Sequence, residues 1–362
     1  MLPLPRFDLA NLNPNCPQSI RAIRPALPVI DRLDEKWLAA AAALAERGRV
    51  LSHPNPSVGA LIVRSDPVMS LSAVVVGRGW TQPGGRPHAE AAALEQAGQR
   101  AVGATLYVTL EPCAHVSERG PACADLVTKS GISRVIIGTC DPDPRTQGKG
   151  IARLEQAGIA VTLAHHKPSH DSLRGYLKQR NTGRPHVTLK LAMSLDGAIA
   201  LRSGESRWIT GPEARAHTHR ERARADAILV GGGTLRSDNP RLDVRLPGLE
   251  TRSPARFVLS RSAVPAGWQA IANPEEILAL QDIQYLFIEG GAQTAAAFLK
   301  RDLVDRILLY RAPIIIGGGL PAIADFGLSD LTSAHGRWSL SDQRKLGNDT
   351  LEIYERTPCL PA

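Results

Sequence analysis

The sequence lacks the features that mark several broad classes of protein. No apolar run in its 362 residues reaches the ~20 residues that a membrane-spanning helix needs, so we predict no membrane segment. Lys and Arg form no long run and aromatic residues make up only 4%, which argues against a nucleic-acid-binding platform. Residues 1–30 contain six prolines and no continuous apolar core, unlike a secretory signal. We interpret them as a loose N-terminal extension, or as the product of a mis-assigned start codon.

Cysteine is also scarce. The chain has five cysteines, an odd number, and its length allows each half to bury a full core without a disulfide framework. We therefore expect a reducing compartment, the cytoplasm. The net charge of +8 suits an anionic partner such as a nucleotide or a phosphate, although a generally basic surface explains it equally well.

Helical and strand patterns alternate along the whole chain, which predicts an α/β architecture in two domains. We assign residues 31–166 to the first domain, 167–184 to a polar linker with one short helix, and 185–362 to the second domain. In the first domain the patterns predict helices at Asp34–Arg47, His88–Gln96, Pro121–Lys129 and Ile151–Ala157, and strands at Val58–Val63, Val74–Gly77, Thr105–Leu110, Arg134–Gly138 and Ile159–Leu163. In the second they predict strands at Val187–Met193, Ala227–Val230, Ala255–Leu259, Tyr285–Ile288 and Arg306–Tyr310, and helices at Glu213–Ala223 and Gln293–Lys300.

One set of residue types in the first domain points to a metal. His88 and Glu90 follow Pro87 at a predicted helix start, Cys113 follows a predicted strand, and Cys123 lies near the start of another helix. One imidazole and two thiolates form a three-ligand zinc set that leaves the fourth position to water, whose pKa zinc lowers to roughly 7. Glu90 would then be the proton shuttle between water, the ring nitrogen and the leaving amine. The pattern therefore predicts a zinc-dependent deaminase site.

This prediction depends on where the helices begin. Side chains two residues apart in a regular helix point about 200° apart, so His88 and Glu90 share a site only at the helix entrance. Cys123 falls in the first turn of its own helix, where the helix dipole favours a thiolate. His115 is an alternative ligand. Asn55, in the proline-rich loop before the first strand, could hydrogen-bond a ring or a ribose, or could serve only the turn.

Three motifs in the first half resemble a known family. They are HPNPSVGALIV from His53, HAEAAAL from His88, and TLEPCAH followed by PACADLV from Thr109. Together they resemble the deaminase half of the bifunctional riboflavin-biosynthesis deaminase/reductase family. Cytidine deaminases and tRNA adenosine deaminases share the zinc chemistry but typically place two residues between the cysteines, whereas nine lie between Cys113 and Cys123. The stretch DPDPRTQGKG from Asp141 is similar to the Asp-Pro-Asn-Pro stretch of the same family.

The second half resembles the reductase domain of that family, with its motifs in the same order. They are KLAMSLDG from Lys190, SGESRWIT from Ser203, GGGTLRSDNP from Gly231 and IEGGAQT from Ile288. The resemblance implies a cytidine-deaminase-like three-layer α/β/α domain, followed by a dihydrofolate-reductase-like α/β domain that uses NADPH. By position it implies NADP contacts at Ala192, Trp208, Thr234, Asp238, Gly291, Ala292, Gln293, Thr294, Ala295, Ala296 and Ala297. It implies substrate contacts at Ser206, Arg222, Leu242, Arg245 and Glu289.

Two features of the second half support a phosphate ligand on physical grounds, though weakly. Gly290 and Gly291 follow a predicted strand and precede a helix, so the backbone could approach a phosphate at free N–H groups. Arg222 and Arg245 suit a sugar phosphate, because a guanidinium binds phosphate through two hydrogen bonds. Without the resemblance, both arginines would be interpreted as solvent-exposed.

The resemblance implies two consecutive steps of riboflavin biosynthesis. Zinc-dependent hydrolytic deamination of 2,5-diamino-6-ribosylamino-4(3H)-pyrimidinone 5′-phosphate comes first, and NADPH then reduces the ribose of the product to a ribityl chain. Asp196 and Glu289 are candidate proton donors for the second step. The alternatives are a nucleoside or tRNA deaminase with a non-catalytic second domain, and a chain whose second half has lost its reductase activity. We expect one zinc ion per chain, a small-molecule partner and a homo-oligomer, either dimer or tetramer.

The chain departs from the family pattern in four places. These are the extension before Asp31, an insertion at Ser65–Ala73, a Cys113–Cys123 loop that is one residue longer than the common form, and a short stretch at Leu246–Gln284. The last departure concerns the edge of the predicted reductase pocket.

Overall fold

The computed structural model describes residues 30–65, 73–115 and 117–357 of the chain. They form two compact units that divide at Thr182. The predicted extension up to residue 29, the interior of the predicted insertion (residues 66–72), and Cys16 and Cys359 lie outside the described residues. In the part of the chain that the structure describes, no helix is both long enough and apolar enough to cross a membrane.

The first unit is built on one five-stranded sheet with the strand order β2-β1-β3-β4-β5. The strands are β1 (Gly59–Ser65), β2 (Ala73–Trp80), β3 (Thr105–Val108), β4 (Arg134–Ile137) and β5 (Ala160–Leu163). The helices are α1 (Arg32–Ala45), α2 (Ala89–Ala97), α3 (Cys123–Lys129), α4 (Lys149–Gln156), α5 (Lys167–Ser172) and α6 (Arg174–Thr182). Strand β1 runs antiparallel to β2 and β3, whereas β3, β4 and β5 are parallel. The four helices and five strands predicted for residues 31–166 are all present.

Each face of this sheet has its own hydrophobic core, because successive side chains of a strand point to opposite faces. Ile62 and Leu106 belong to the core that α2, α3 and α4 cover. Their neighbours Leu61 and Tyr107 belong to a second core against α1. Helices therefore lie on both faces of the sheet, which is the three-layer α/β/α arrangement predicted.

Helix α2 lies in very close contact with strand β2. A Cβ atom on Gly79 would lie 2.1 Å from the Ala89 carbonyl oxygen, and one on Gly77 would lie 2.2 Å from the Ala93 carbonyl oxygen. No side chain fits at these separations, so only glycine permits the contact. Gly79 thus allows the start of α2 to lie against the sheet and Gly77 allows the same for its middle, and the predicted metal ligand His88 lies at that start.

Residues 167–184 differ from the prediction. The sequence predicts a polar linker with one short helix, but two helices form, α5 and α6. Leu173, Tyr176 and Leu177 are buried in the core of the first unit. Their i, i+3, i+4 spacing is that of a helical apolar stripe, but the surrounding polar residues dilute the signal. The segment is part of the first unit's core rather than a solvent-exposed connection.

The second unit contains an eight-stranded sheet with the order β10-β9-β8-β11-β6-β12-β15-β14. Its strands are β6 (His186–Met193), β8 (Ala227–Gly231), β9 (Ala255–Leu259), β10 (Trp268–Ile271), β11 (Tyr285–Ile288), β12 (Arg306–Arg311), β14 (Trp338–Leu346) and β15 (Asp349–Arg356), and a separate pair comprises β7 (Ala198–Ala200) and β13 (Leu320–Pro321). The helices are α7 (Pro212–Arg222), α8 (Gly232–Asp238) and α9 (Ala292–Lys300). In the order of the sheet, the six strands β10, β9, β8, β11, β6 and β12 are parallel. Strand β15 runs antiparallel to β12, and β14 runs antiparallel to β15.

Helices cover both faces of this sheet as well. Phe298 of α9 packs with Leu229 and Ile288 on one face, whereas Ala214 of α7 packs with Ile228 on the other. The five strands and two helices predicted for this domain are present. The sequence does not predict the hairpin β14–β15, because β14 is an edge strand with mostly exposed polar side chains. The hydrophobic alternation that identifies a strand is weak there.

Candidate functional site

The start of α2 brings His88 and Glu90 to one side of the helix. His88 is the N-cap residue and has extended backbone angles (φ −69°, ψ 164°), while Glu90 lies in the first helical turn. The change from extended to helical backbone removes the opposed orientation that two such residues have inside a helix. The structure therefore has the irregular helix entrance that the sequence required.

His88, Cys113 and Cys123 form a cluster in the first unit that could hold a metal ion. Their ligand atoms all lie within 4.8 Å of one another. The distance from His88 Nδ1 is 3.3 Å to Cys123 Sγ and 3.6 Å to Cys113 Sγ. Four-coordinate zinc with Zn–N and Zn–S bonds of ordinary length needs N–S separations of about 3.5 Å. The donor set and its spacing therefore both fit a zinc ion.

The two cysteines have opposite protonation tendencies. The pKa of Cys113 is lowered because the Cys123 side chain and His88 hydrogen-bond to it, and the Cys123 backbone N–H donates to its sulfur at 3.2 Å. The pKa of Cys123 is raised because its thiol interacts with Cys113 and is buried. The protein alone thus favours one thiolate, and a divalent cation provides the charge that favours two.

Glu90 lies against this cluster. Its side chain is buried, with 3% exposed, and burial raises its pKa to about 7. A carboxyl group with a pKa near neutrality can both accept and release a proton at physiological pH. This environment suits the proton shuttle that the sequence predicts.

Two other sequence candidates lie near the cluster in different roles. His115 Nδ1 is 3.3 Å from Thr146 Oγ1, and His115 is not part of the three-residue metal cluster. Asn55 Nδ2 donates to the Gly85 carbonyl oxygen at 2.8 Å and lies 3.2 Å from His88 Nε2. Asn55 therefore lies beside a metal ligand and also lines the cavity in front of it. The geometry therefore favours His88, Cys113 and Cys123 over His115 as the metal ligands.

Two further groups that the sequence did not single out shape this cavity. The Glu111 carboxylate accepts backbone hydrogen bonds from Asp141, Gly148, Gly150 and Ile151 at 3.0–3.3 Å. It thereby joins the segment that carries Cys113 to the 141–151 segment. Motif comparison marks the segments, but only the fold shows that one buried carboxylate connects them.

Asp141 lies in the cavity wall and is also buried. It accepts a 2.8 Å hydrogen bond from the Tyr176 hydroxyl and a 3.0 Å bond from the Asp143 N–H. Burial raises the pKa of Asp141 to about 6 despite these donors. Tyr176 comes from α6, so the segment predicted as a linker contributes to the cavity.

The second unit brings two glycine-containing loops together at the carboxyl ends of neighbouring strands. Strands β8 and β11 are adjacent and parallel, and α8 and α9 begin directly after them. A Cβ atom on Gly231 would lie 2.4 Å from Thr294 Oγ1, and one on Gly290 would lie 2.7 Å from Thr294 Cβ. Ligands of open parallel sheets bind at this edge, where helix N-termini offer free N–H groups.

Arg222 and Glu289 meet beside this edge. Arg222 Nε donates to Glu289 Oε1 at 2.5 Å and Nη2 donates to Oε2 at 3.0 Å, while Nη1 donates to the Asp243 carbonyl oxygen at 3.0 Å. Burial favours the neutral form of Glu289, but the charges of Arg222 and Lys190 lower its pKa overall. Glu289 is therefore ionised at neutral pH.

Lys190 is the cationic neighbour of this pair. Burial lowers its pKa, and the nearby Glu289 opposes that shift only in part. Asp196 is different, because it is exposed and accepts hydrogen bonds from Ser194 Oγ at 2.6 Å, Ile316 N at 3.1 Å and Gly317 N at 2.8 Å. These donors lower the pKa of Asp196 to about 2, which favours its ionised form, and its role as a proton donor stays an untested prediction.

Comparison with known proteins identifies a family domain in each half of the chain. The family described as "Cytidine and deoxycytidylate deaminase zinc-binding region" matches residues 31–139, and the "RibD C-terminal domain" matches residues 185–351. The riboflavin biosynthesis protein RibD of Aquifex aeolicus is 35% identical, and the match covers 91% of this chain and 100% of that protein. The chain belongs to the RibD family. The Escherichia coli RibD protein is also 35% identical, over 87% of this chain and 97% of its own length.

Solved RibD structures share the architecture. A structure of Acinetobacter baumannii RibD is 34% identical, with a TM-score of 0.78, and covers 90% of this chain and 99% of its own. A Thermotoga maritima structure described as a diaminohydroxyphosphoribosylaminopyrimidine deaminase and 5-amino-6-(5-phosphoribosylamino)uracil reductase has the same TM-score, 0.78, at 31% identity, with coverage of 90% and 99%. The predicted fold class, a deaminase domain followed by a reductase domain, is confirmed.

Membership of the RibD family establishes what this chain does in outline. It is a bifunctional enzyme of riboflavin biosynthesis, with a zinc-binding deaminase domain and an NADPH-dependent reductase domain. The predicted function and cofactors are confirmed. The alternative of a nucleoside or tRNA deaminase with a non-catalytic second domain is wrong, because residues 185–351 match the reductase domain of the RibD family.

The residues that the family resemblance assigns to NADP occupy different environments. Thr234 lies close to Gly291, since a Cβ atom on Gly291 would be 3.9 Å from Thr234 Oγ1. Ala292, Gln293 and Thr294 form the first turn of α9, Ala192 is half-buried in β6, and Trp208 and Asp238 are exposed. Ala297 is half-buried, whereas Ala295 and Ala296 are buried in the core, and the Ala295 N–H already donates to the Gly291 carbonyl oxygen. Burial argues against direct NADP contacts at Ala295 and Ala296.

The residues assigned to the substrate also differ in availability. Ser206 and Arg245 are exposed, and Arg245 Nε lies 3.3 Å from Asp243 Oδ1. Leu242 has a buried side chain and a left-handed backbone (φ 54°), so it can offer a ligand only backbone atoms. These contacts remain predictions, and the geometry favours Arg245 over Arg222 as the phosphate-binding group.

Proposed function

We propose that the first unit deaminates 2,5-diamino-6-ribosylamino-4(3H)-pyrimidinone 5′-phosphate and that the second unit reduces the ribose of the product. The observation that carries this proposal is the clustering of the ligand atoms of His88, Cys113 and Cys123 beside a cavity that His88, Cys113 and Glu90 line. The activities named for the Thermotoga maritima relative support the choice of substrate.

In the deaminase reaction we assign three residues to the metal and one to proton transfer. His88, Cys113 and Cys123 would hold a zinc ion, which supplies Lewis acidity that makes water nucleophilic at neutral pH. Glu90 carries both protons of the attacking water: the first goes to the ring nitrogen, and the second, released as the carbonyl forms, goes to the departing amine. A carbonyl replaces the amino group, and ammonia leaves. Asn55 lines the same cavity and is our proposed contact to the substrate.

In the reductase reaction we assign the proton donor to Lys190. Reduction at C1′ of the ribose needs a hydride, which NADPH would supply, and it breaks the C1′–O4′ bond, so O4′ needs a proton. Glu289 and Asp196 have lowered pKa values and are ionised, whereas burial brings the pKa of Lys190 closer to neutrality. Arg222 orients Glu289, and the exposed Arg245 is our proposed phosphate contact.

A coupled assay with metal analysis tests the two reactions separately. Purified protein should contain about one zinc ion per chain and release ammonia from the diaminopyrimidine phosphate. It should then oxidise NADPH in the presence of the deaminated product. Ammonia release without NADPH oxidation, from protein that is folded by circular dichroism, would contradict the reductase assignment. Release from tRNA but not from the pyrimidine would contradict the deaminase assignment.

Two finer properties also remain proposals. We propose a cytoplasmic location, because Cys113, Cys123 and Cys140 are free thiols and zinc binding requires reduced cysteine. We also propose a homo-oligomer, either dimer or tetramer. Cell fractionation tests the first property, and light scattering on the purified chain tests the second; a secreted or monomeric protein would refute the respective proposal.

A further inference from the structure

The mouth of the deaminase cavity carries a cluster of charges that the zinc chemistry does not use. Arg86, Arg119, Arg145 and Arg180 all line the cavity. Two of them, Arg145 and Arg180, surround the carboxylate of Asp143, and we call these three residues the Asp143 cluster. The other two arginines have different partners. Arg86 donates to the Pro121 carbonyl oxygen and to Ser117 Oγ, and Arg119 donates to the Gly84 carbonyl oxygen.

The carboxylate of Asp143 fixes the guanidinium of Arg145 through two hydrogen bonds. Arg145 Nε lies 3.0 Å from Asp143 Oδ1, and Arg145 Nη2 lies 2.6 Å from Oδ2. The side chain of Asp143 is 6% exposed, whereas that of Arg145 is 61% exposed. A buried carboxylate thus anchors one edge of an arginine whose other atoms face the solvent-filled cavity mouth.

Arg180 brings a second guanidinium to the same carboxylate. Its Nη2 atom lies 3.8 Å from Asp143 Oδ2, and its guanidinium lies 5.5 Å from the centre of the Tyr176 ring. The Arg180 side chain is 44% exposed. Two cations therefore share one anion, so the three side chains of the Asp143 cluster together carry one net positive charge, and Asp141 is the neighbouring carboxyl group in the cavity wall.

This excess charge has no evident role in stability. Ion pairs with a solvent-exposed partner contribute about 0–1 kcal/mol, and a second arginine on one carboxylate adds little more. Guanidinium groups pre-oriented by a carboxylate are, however, well suited to a phosphate dianion, because the planar fork offers paired donors.

We infer that Arg145 and Arg180, positioned by Asp143, bind the phosphate group of the deaminase substrate and make the deaminase selective for phosphorylated pyrimidines. This inference rests on the proposed function. It adds a phosphate-binding site in the first unit, where the sequence suggested only Asn55 as a contact to the substrate. Binding the remote phosphate would hold the reacting ring carbon near Glu90.

The test compares two substrates, the diaminopyrimidine ribotide and its dephosphorylated form. For the ribotide, Arg145→Gln and Arg180→Gln should each raise the KM of ammonia release by about tenfold, and the double variant by roughly a hundredfold, with kcat within about twofold. The KM for the dephosphorylated substrate should not change. Arg145→Lys, which keeps the charge but loses the fork, should give an intermediate KM.

A matched control is Arg153→Gln. Arg153 is a part-exposed arginine of α4 that pairs with Asp125 at 2.8 Å and is not among the residues that line the cavity. This control should leave both KM values unchanged. Inorganic phosphate should compete with the ribotide in the wild-type deaminase and much more weakly in the double variant.

The outcomes separate this inference from the function on which it depends. If the wild-type protein deaminates the ribotide but the variants raise both KM values equally, or neither, the phosphate-binding inference is overturned and the proposed function stands. If the wild-type protein deaminates neither substrate, the proposed function fails and the inference fails with it. Thermal unfolding of each variant shows whether a change in KM reflects loss of folded protein.

Discussion

Arg222 and Glu289 form a two-bond ion pair in the reductase unit, with N–O distances of 2.5 and 3.0 Å. Their side chains are only 10% and 12% exposed. The guanidinium fork that would suit a substrate phosphate is thus committed to a carboxylate, and the carboxylate that would suit a proton donor is held ionised. The pairing therefore argues against Arg222 as the phosphate contact and against Glu289 as the proton donor.

Breaking this pair should destabilise the reductase unit. Arg222→Met leaves the Glu289 charge buried without its partner, which costs roughly 3–5 kcal/mol of the free energy of unfolding. We expect a lower melting temperature and a large loss of NADPH oxidation, with ammonia release from the ribotide retained. The double variant Arg222→Met/Glu289→Met should be more stable than Arg222→Met alone. Equal stability of the two variants would show that the buried charge is not the cause.

The same pair predicts a pH dependence of stability. The pKa of Glu289 is lower in the folded than in the unfolded state, where glutamate titrates near ~4.3. Its stabilising contribution is therefore fully present above the unfolded pKa and disappears as the pH falls through the folded pKa. Urea unfolding at pH 7 and below pH 4 should show that Glu289→Gln costs less stability at the lower pH. An identical cost at both would contradict the pairing.

Glu90 should be needed for deamination but not for metal binding. We expect Glu90→Ala to keep about one zinc ion per chain and to lower the rate of ammonia release by roughly 10²–10⁴-fold. NADPH oxidation with the preformed deaminated product should be unchanged. Glu95→Ala, an exposed position on the same helix, is the control and should retain deamination. If Glu90→Ala kept its activity, another group would be the shuttle.

Gly79 should be necessary for the position of α2. In Gly79→Ala, the new methyl group would lie 2.1 Å from the Ala89 carbonyl oxygen, so the helix start must shift. We expect a loss of about 1–3 kcal/mol in the free energy of unfolding and weaker zinc retention, because His88 moves with the helix. Val74→Ala, an exposed change on the same strand, should change stability little. Unchanged zinc affinity in Gly79→Ala would refute the link between this contact and the metal site.

The buried carboxyl group of Asp141 should make the free energy of unfolding of the deaminase unit fall as the pH rises. Burial raises its pKa to about 6, so the folded state binds the proton more tightly than the unfolded state does. The free energy of unfolding therefore falls between the unfolded pKa, ~3.9, and about 6. Because Asn does not titrate, the stability of Asp141→Asn relative to wild type should increase by up to about 3 kcal/mol from pH 4 to pH 7. If denaturant unfolding gave the same pH dependence of stability for Asp141→Asn and for wild type, the raised pKa of Asp141 would be contradicted.

The metal site could be predicted from the sequence because its parts are local. His88 and Glu90 lie in one short motif, and a proline and a helix start give their relative orientation. Cys113 and Cys123 are ten residues apart, each next to a recognisable element boundary. The part of the cavity wall that α6 contributes was not predicted. The three apolar residues Leu173, Tyr176 and Leu177 lie among many polar ones and give only a weak helical signal.

The sequence by itself predicted the two α/β domains, the candidate zinc cluster of His88, Cys113 and Cys123, and the family to which the chain belongs, since these depend on periodicity and short motifs. The tertiary structure decided which of those side chains are available for chemistry. Arg222 and Glu289 are 67 residues apart, and Tyr176 and Asp141 are 35 apart, yet each pair is in contact. Burial and neighbouring charge set the protonation state of such groups, and both arise only when distant segments pack together.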